Sequence, residues 1–151
     1  MRRLLLGGTA ATMIAAPLVM LWEGKSNVTY LDPVGLPTVC YGHTHGVQLG
    51  QIYTDAECEQ LLINELAKAE AAVKRLITVP LSPETSAALI SFTYNTGEGN
   101  LARSTLRRKM NAGDIRGGCM ELRKWVYAKG RRLQGLANRR EAELALCLKG
   151  A

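Results

Sequence analysis

The feature that most constrains the fold is an uncharged stretch near the start of the chain, the 19 residues 4–22. As a helix rising ~1.5 Å per residue, it would be about 28 Å long, close to the ~30 Å hydrocarbon core of a bilayer. Arg2 and Arg3 precede the stretch and Glu23 follows it directly. Because positive charge is retained on the cytoplasmic side, the sequence predicts that the stretch exports the remainder of the chain.

The same stretch is diluted by small and polar residues, among them Gly7, Gly8, Thr9, Thr12 and Pro17. Each makes insertion into a bilayer less favourable than it is for a Leu-rich span, so a permanent anchor is disfavoured. Pro17 also follows the two alanines at which a signal peptidase would cut, which disfavours cleavage. We expect residues 1–22 to be a weak anchor that leaves the bilayer uncleaved. A cleaved signal peptide and a buried core helix of a cytosolic protein remain alternatives.

The basic excess of the chain is C-terminal. Residues 101–151 hold thirteen Lys and Arg against four Asp and Glu, whereas residues 1–100 hold six against nine. Such a surface suits a polyanion, which could be nucleic acid, anionic lipid or the bacterial envelope, and the sign alone does not choose among them. A solvated set of helix faces without a partner fits equally well.

Four cysteines are present, at positions 40, 58, 119 and 147. They allow three disulfide connectivities, or buried thiols in a reducing compartment. No pair has the close spacing of a zinc site, so we expect neither a metal nor another cofactor.

Local patterns predict an α+β protein with one domain after the N-terminal stretch. Residues 27–47 are rich in Val, Thr and Tyr with a Gly-containing turn, and they are the only stretch that predicts a β-hairpin. Thr54 and Glu57 form a capping box, which predicts a helix from about Asp55 to Ile77. Further helices are predicted over residues 83–97, 105–112, 115–127 and 138–148.

Two carboxylates and a hydroxyl stand out in the pattern E-x8-D-x5-T, formed by Glu23, Asp32 and Thr38. Cleavage of a glycosidic bond needs an acid that protonates the leaving oxygen and a second carboxylate that activates water. A hydroxyl beside the second carboxylate can hold that water. On spacing alone, however, solvated surface residues explain the pattern better.

The whole chain resembles the phage-type lysozymes, and it is most similar to the signal-anchor-release endolysins of lambdoid phages. The motifs that carry the resemblance are W-E-G at 22–24, Asp32, T-V-C-Y-G-H-T at 38–44, Y-T-D-A-E-C at 53–58, S-F-T-Y-N-T-G at 91–97 and N-R-R-E at 138–141. The resemblance implies a lysozyme-like fold. In that fold, a small hairpin lobe packs on a helical bundle, an apolar helix precedes both, and residues 23–151 form a single catalytic domain.

The resemblance also implies an activity, the hydrolysis of the β-1,4 bond between N-acetylmuramic acid and N-acetylglucosamine in peptidoglycan for host cell lysis. Glu23 would be the general acid. Asp32 and Thr38 would place the attacking water on the opposite face of the sugar, which predicts inversion. Asn95 and Arg139 would line the saccharide cleft.

Three residues around the hairpin carry further expectations. We expect His43 to fasten the end of a strand by hydrogen bonds and His45 to be an exposed turn residue. Cys40 stands where many phage lysozymes have glycine, and we interpret it as a disulfide partner rather than a position that requires a positive φ. Export to an oxidising compartment favours local pairing, Cys40 with Cys58 and Cys119 with Cys147.

The expected partners are peptidoglycan strands and, before release, the inner membrane to which residues 4–22 would tether an inactive enzyme. After release into the periplasm, residues 18–22 would cover apolar surface of the body and draw Glu23 into the site. We expect a monomer that binds no nucleic acid. The competing hypotheses are a membrane-tethered basic protein that binds nucleic acid and an inactive envelope-binding module.

Overall fold

The computed structural model describes residues 8–151 and has an α+β architecture, as predicted. Its first half comprises the helix α1 (Ala10–Glu23), the strands β1 (Ser26–Leu31) and β2 (Pro37–Cys40), and the helices α2 (Asp55–Leu76) and α3 (Pro83–Thr96). Its second half comprises α4 (Glu98–Arg103), α5 (Thr105–Asn111), α6 (Ile115–Met120), a 3₁₀ turn (Glu121–Lys124), β3 (Tyr127–Ala128), β4 (Arg131–Arg132) and α7 (Gln134–Lys149).

Helix α3 is the centre of the bundle. Ser82 caps it by accepting the Thr85 amide, Pro83 occupies its first turn, and it ends at Gly97. Residues 87–90 and Phe92 have no exposed surface, because α1, α2 and α7 pack around the helix. A helix that is apolar all round is expected in a core. The predicted core position is therefore confirmed.

Helix α1 packs directly on α3 and α2. Thr9 caps it by accepting the Thr12 amide at 3.2 Å, and Ala15 and Val19 are completely buried. Most of the buried residues of α1 are small, namely Ala11, Thr12, Ala15 and Ala16, which allows the helix to approach its neighbours closely. Within residues 8–151 no helix combines the length and hydropathy needed to cross a membrane. Residues 4–7 of the proposed anchor lie outside the described residues, so the anchor's boundaries remain a prediction.

The hairpin β1–β2 is antiparallel, and its register is interrupted by an irregularity between Ser26 and Tyr30. Its turn is closed by the Gly35 amide, which donates to the Asp32 carbonyl at 2.9 Å, and Gly35 has a φ of +82°. A left-handed turn residue of this kind favours glycine. The predicted hairpin is therefore present, and Gly35 lies in the turn between its strands.

The predicted helix over residues 115–127 is wrong beyond Met120. The chain continues as the 3₁₀ turn and then as a second hairpin, β3–β4, which the sequence reading missed. Lys129 and Gly130 both have positive φ, +51° and +77°, as a two-residue hairpin turn requires. Helix α4 was also not predicted, and α7 begins four residues before its predicted start at Asn138.

Both predicted disulfides are present, Cys40–Cys58 between the hairpin and α2 and Cys119–Cys147 between α6 and α7. The interpretation of Cys40 was wrong in one respect, because its φ is +60°. A side chain in the left-handed region costs roughly 1–2 kcal/mol. The position therefore keeps the backbone that favours glycine, and the disulfide holds cysteine in it.

Candidate active site

Glu23 is the last residue of α1 and lies at one wall of a large cleft. The helix ends there because Gly24, with a φ of +68°, turns the chain toward β1. The Glu23 side chain is 21% exposed. Gly42 approaches it so closely that a Cβ at that position would lie 3.4 Å from Glu23 Oε2. The carboxyl is therefore partly enclosed and open on the cleft side.

The cleft has a volume of about 820 Å³. The hairpin side contributes the loop after β2, with His43 and His45, and α2 contributes Glu65 and Lys68. The end of α3 contributes Tyr94 and Asn95. The volume lies within the range of about 300–1,000 Å³ that is usual for ligand sites.

Arg139 lies behind Glu23, with its side chain only 4% exposed. Its Nη1 donates to Glu23 Oε1 at 2.6 Å, and its Nη2 donates to the Ser91 carbonyl at 3.3 Å. The residue was predicted to line the cleft. It contacts the cleft carboxyl from the bundle side, so it can orient Glu23.

A second arginine of α7, Arg140, extends this buried cluster. Its Nη1 donates to Glu143 and its Nη2 to the Asn95 side chain, and its Nε donates to the Trp125 carbonyl at 3.0 Å. Burial raises the pKa of Glu143, against the opposing effects of Arg140 and the Ser91 hydrogen bond. Burial likewise lowers the pKa of Arg140, and Glu143 opposes that change.

Tyr94 joins α3 to the hairpin lobe. Its hydroxyl donates to the Tyr41 carbonyl at 2.7 Å. Burial is the main cause that raises the pKa of Tyr94, and the nearby Glu23 carboxylate adds to it. The hydroxyl is therefore neutral throughout the physiological range, and the link between the two walls of the cleft does not depend on pH there.

Asp32 and Thr38 have well-defined contacts within the hairpin. Asp32 Oδ1 accepts the amides of Val34 at 2.9 Å and Leu36 at 2.8 Å. Thr38 Oγ1 donates to the Leu36 carbonyl at 2.9 Å, and the residue is buried. Among the described residues, neither contributes to the lining of the cleft. Their catalytic roles remain predictions, since these contacts also explain both residues as stabilisers of the turn.

The two histidines occupy their expected places. The backbone of His43 forms two hydrogen bonds of 2.9 Å with Val39, which fastens the end of β2, and His45 is exposed in the following turn. The sequence reading missed Tyr94, Gly42 and Glu143. The first two stand within the recognised motifs Y-N-x-G and Y-G-H, so their positions could have been found there.

Metal-binding groups do not assemble around this cleft. In the part of the chain that the structure describes, no three or more His, Cys, Asp or Glu side chains are arranged to hold a metal ion.

A small hairpin lobe on a helical bundle, with a carboxyl at the end of a helix in the cleft between them, defines a lysozyme-like protein. Comparison with known proteins agrees. The phage lysozyme family model matches residues 20–143. A SAR-endolysin of Enterobacteria phage PA-2 is 47% identical over 129 residues, which are 85% of this chain and 78% of that protein. The chain belongs to the phage lysozyme family.

Solved structures show the same fold. The endolysin from Escherichia coli O157:H7 phage FAHEc1 superposes with a TM-score of 0.81 at 32% identity, over 89% of this chain and 90% of that one. The muramidase domain of SpmX from Asticaccaulis excentricus superposes with a TM-score of 0.83 at 27% identity, over 89% and 95%. The protein is thus an endolysin with the glycoside hydrolase activity of a muramidase, and its substrate is peptidoglycan.

Proposed function

We propose that Glu23 is the general acid that protonates the leaving oxygen of the β-1,4 bond between N-acetylmuramic acid and N-acetylglucosamine. The observation that carries this proposal is that the two carboxylate oxygens of Glu23 have different surroundings. Arg139 binds Oε1 from the bundle side. Oε2 is near Gly42, where the absence of a side chain leaves access from the cleft. An acid needs this combination of a fixed carboxyl and one reachable oxygen.

In the same mechanism, Asp32 and Thr38 hold the water that attacks the anomeric carbon, with inversion. This assignment is supported by the hydrogen bonds of Asp32, because both of its turn hydrogen bonds are accepted by Oδ1. Oδ2 is then the oxygen that this proposal assigns to the water. The turn hydrogen bonds also fix the direction of the carboxylate. An inverting site needs a separation of about 6.5–9.5 Å between the two carboxyl groups so that water fits between them.

Asn95 binds the saccharide in this proposal, because it is exposed in the cleft and its Oδ1 is held by Arg140. That hydrogen bond leaves its amide nitrogen as the donor for a sugar hydroxyl. Arg139 reaches the substrate only through Glu23, so its contribution is to fix the acid.

The active enzyme works in the periplasm after export and release from the inner membrane, as a monomer. Relatives named SAR-endolysins support this part of the proposal. The packing of α1 adds a physical reason, since Thr9 donates to Glu70 of α2 at 2.5 Å and Val19 is buried. Glu23 ends that helix. Its position therefore depends on α1 lying against the body rather than in a bilayer.

The decisive experiment replaces the acid while preserving its volume. Glu23→Gln should lose nearly all turbidity-clearing activity on purified cell walls, because the proton donor is gone. Glu141→Gln, an exposed carboxylate elsewhere, is the control and should remain active. NMR of the initial wild-type product should show the inverted anomer.

More than a few per cent of residual activity in folded Glu23→Gln would overturn the assignment of the acid. A product of retained configuration would overturn the water-positioning role of Asp32 and Thr38. Walls left intact by the wild type would favour the inactive binding module, and with DNA retention at physiological salt they would favour the nucleic-acid hypothesis.

A further inference from the structure

One buried carboxylate joins the two arginines behind the site. Glu143 has no exposed side-chain surface, and its Oε2 accepts from Ser91 Oγ at 2.6 Å and from Arg139 Nε at 3.3 Å. Its Oε1 accepts from Arg140. Because Arg139 in turn donates to Glu23 at 2.6 Å, Glu143 is linked to Glu23 through a single guanidinium group.

The charges in this cluster balance only when Glu23 is ionised. Arg139 and Arg140 then face two carboxylates, Glu23 and Glu143. When Glu23 carries the proton that a general acid needs, Glu143 is the one carboxylate left for both arginines in the cluster. Without Glu143, protonation of Glu23 would leave two buried cations together with no counter-charge, which is strongly unfavourable.

We propose that Glu143 is a positioning residue for the glycosidase reaction: it fixes the Arg139 guanidinium and offsets its charge, so that Glu23 is held in place and can still carry a proton. The inference rests on the proposed role of Glu23 as the acid. Burial of an ion pair is by itself weak evidence of a contribution to stability. A role in setting the protonation of the site gives this buried pair a function.

Other titratable groups face the same site, and they have to be constant in any test. His43 and His45 reach the cleft from the hairpin side, Glu65 and Lys68 from α2, Tyr94 from α3 and Glu98 from α4. None of them is changed in the variants below. Differences between the pH profiles of those variants therefore isolate the cluster on α7.

The test is the pH dependence of kcat and KM for the full chain on soluble, uncrosslinked glycan strands. Glu143→Gln keeps the volume and removes the charge. An uncompensated Arg139 should favour ionised Glu23. The alkaline limb of the pH profile of kcat should therefore shift to a lower pH by about one unit, a shift of the size that a nearby charge usually causes. KM should not change, because Glu143 lies behind the cleft.

The chain offers a matched control two residues away on the same helix. Glu141 is exposed and pairs with the exposed Arg123 at 2.7 Å. Glu141→Gln removes the same charge without changing the cluster. The alkaline limb of its kcat profile should therefore coincide with that of the wild type. Glu143→Asp retains the charge, and its limb should lie close to that of the wild type even where kcat is lower.

A double-variant cycle separates action through Arg139 from a general structural effect. In an Arg139→Gln background, adding Glu143→Gln should shift the alkaline limb by less than it does in the wild type, because only Arg140 then remains near Glu23. Should Glu143→Gln not fold, as judged by near-UV circular dichroism, Ser91→Ala takes its place. That change removes one hydrogen bond from Glu143 and one from Arg139 while leaving their ion pairs in place, and it should lower kcat several-fold at unchanged KM.

The inference is overturned by an unmoved limb in folded Glu143→Gln, by an equal shift in Glu141→Gln, or by the same shift without Arg139. It is also overturned if the limb of Glu143→Asp moves as far as that of Glu143→Gln, or if Ser91→Ala leaves kcat unchanged. Its failure differs from that of the proposed function. An active Glu23→Gln defeats the acid itself, whereas an inactive Glu23→Gln with an unmoved Glu143→Gln limb defeats the positioning role alone.

Discussion

A substitution at Gly42 tests whether Glu23 Oε2, the carboxylate oxygen that faces the cleft, is the one that reaches the glycosidic bond. Its φ is +88°, and an added Cβ would lie 3.4 Å from Glu23 Oε2. Gly42→Ala therefore has two separate effects, a backbone cost of roughly 1–2 kcal/mol and a methyl group beside the oxygen that has to reach the glycosidic bond. A hydrogen-bonded leaving oxygen needs to come within about 2.6–3.2 Å of that carboxyl.

Gly50 separates these two effects. It has the same φ of +88°, and a Cβ there would meet nothing within 4 Å. Gly42→Ala and Gly50→Ala should therefore lose similar stability, about 2–4 °C in Tm for each kcal/mol in a domain of this size. Only Gly42→Ala should lose activity, and we expect about tenfold in kcat/KM, which corresponds to ~1.4 kcal/mol in the transition state.

The assay is wall-turbidity clearing with both variants at a temperature well below their Tm. Wild-type activity in Gly42→Ala would refute the view that Oε2 is the reactive oxygen. Equal losses of activity in Gly42→Ala and Gly50→Ala would refute it as well, because they would attribute the effect to backbone strain in the loops.

Two further predictions concern stability. Replacing Cys119 and Cys147 together by serine should lower the free energy of unfolding by about 3–4 kcal/mol, because the bond closes a loop with a sequence separation of 28; urea denaturation measures this, and a change below about 1 kcal/mol would contradict it. Hydrogen bonds from Lys109 and Lys124 lower the pKa of Glu121, so its contribution to stability is present above its unfolded pKa and is lost as the pH falls through the folded one. Glu121→Gln should therefore flatten the acid-side loss of stability between about pH 5 and 3, and an unchanged slope would contradict the pairing.

The parts of the fold that the sequence predicted are those set by local chemistry. The capping box of Thr54 and Glu57 forms as expected, with the Glu57 amide donating to Thr54 at 3.1 Å, and α2 begins directly after it. The end of α6 was missed because the residues after the following 3₁₀ turn pair as a hairpin instead of continuing the helix. The Leu133 amide donates to the Val126 carbonyl at 2.9 Å, and that pairing brings the chain into the second hairpin.

The same distinction holds for the site. Glu23 and Arg139 were recognised from family motifs, and the structure brings them into contact. Glu143 gave no signal, because an acid four residues after an arginine on a helix usually forms a solvated surface pair. Only the packing of α7 against α3 buries it beside Ser91. Family motifs likewise suggested Asp32 and Thr38. The spacing of these residues in the sequence did not predict the hydrogen bonds that both form within the hairpin.

The ion pair between Glu23 and Arg139 joins residues 116 positions apart, one near each end of the chain. During synthesis, the segment that carries Glu23 is made before α7. Until α7 has emerged and packed, the acid lacks the guanidinium that holds it. A chain interrupted before α7 would therefore lack the contact that orients the Glu23 carboxyl. If Glu23 acts as proposed, wall cleavage cannot begin before α7 has packed against it.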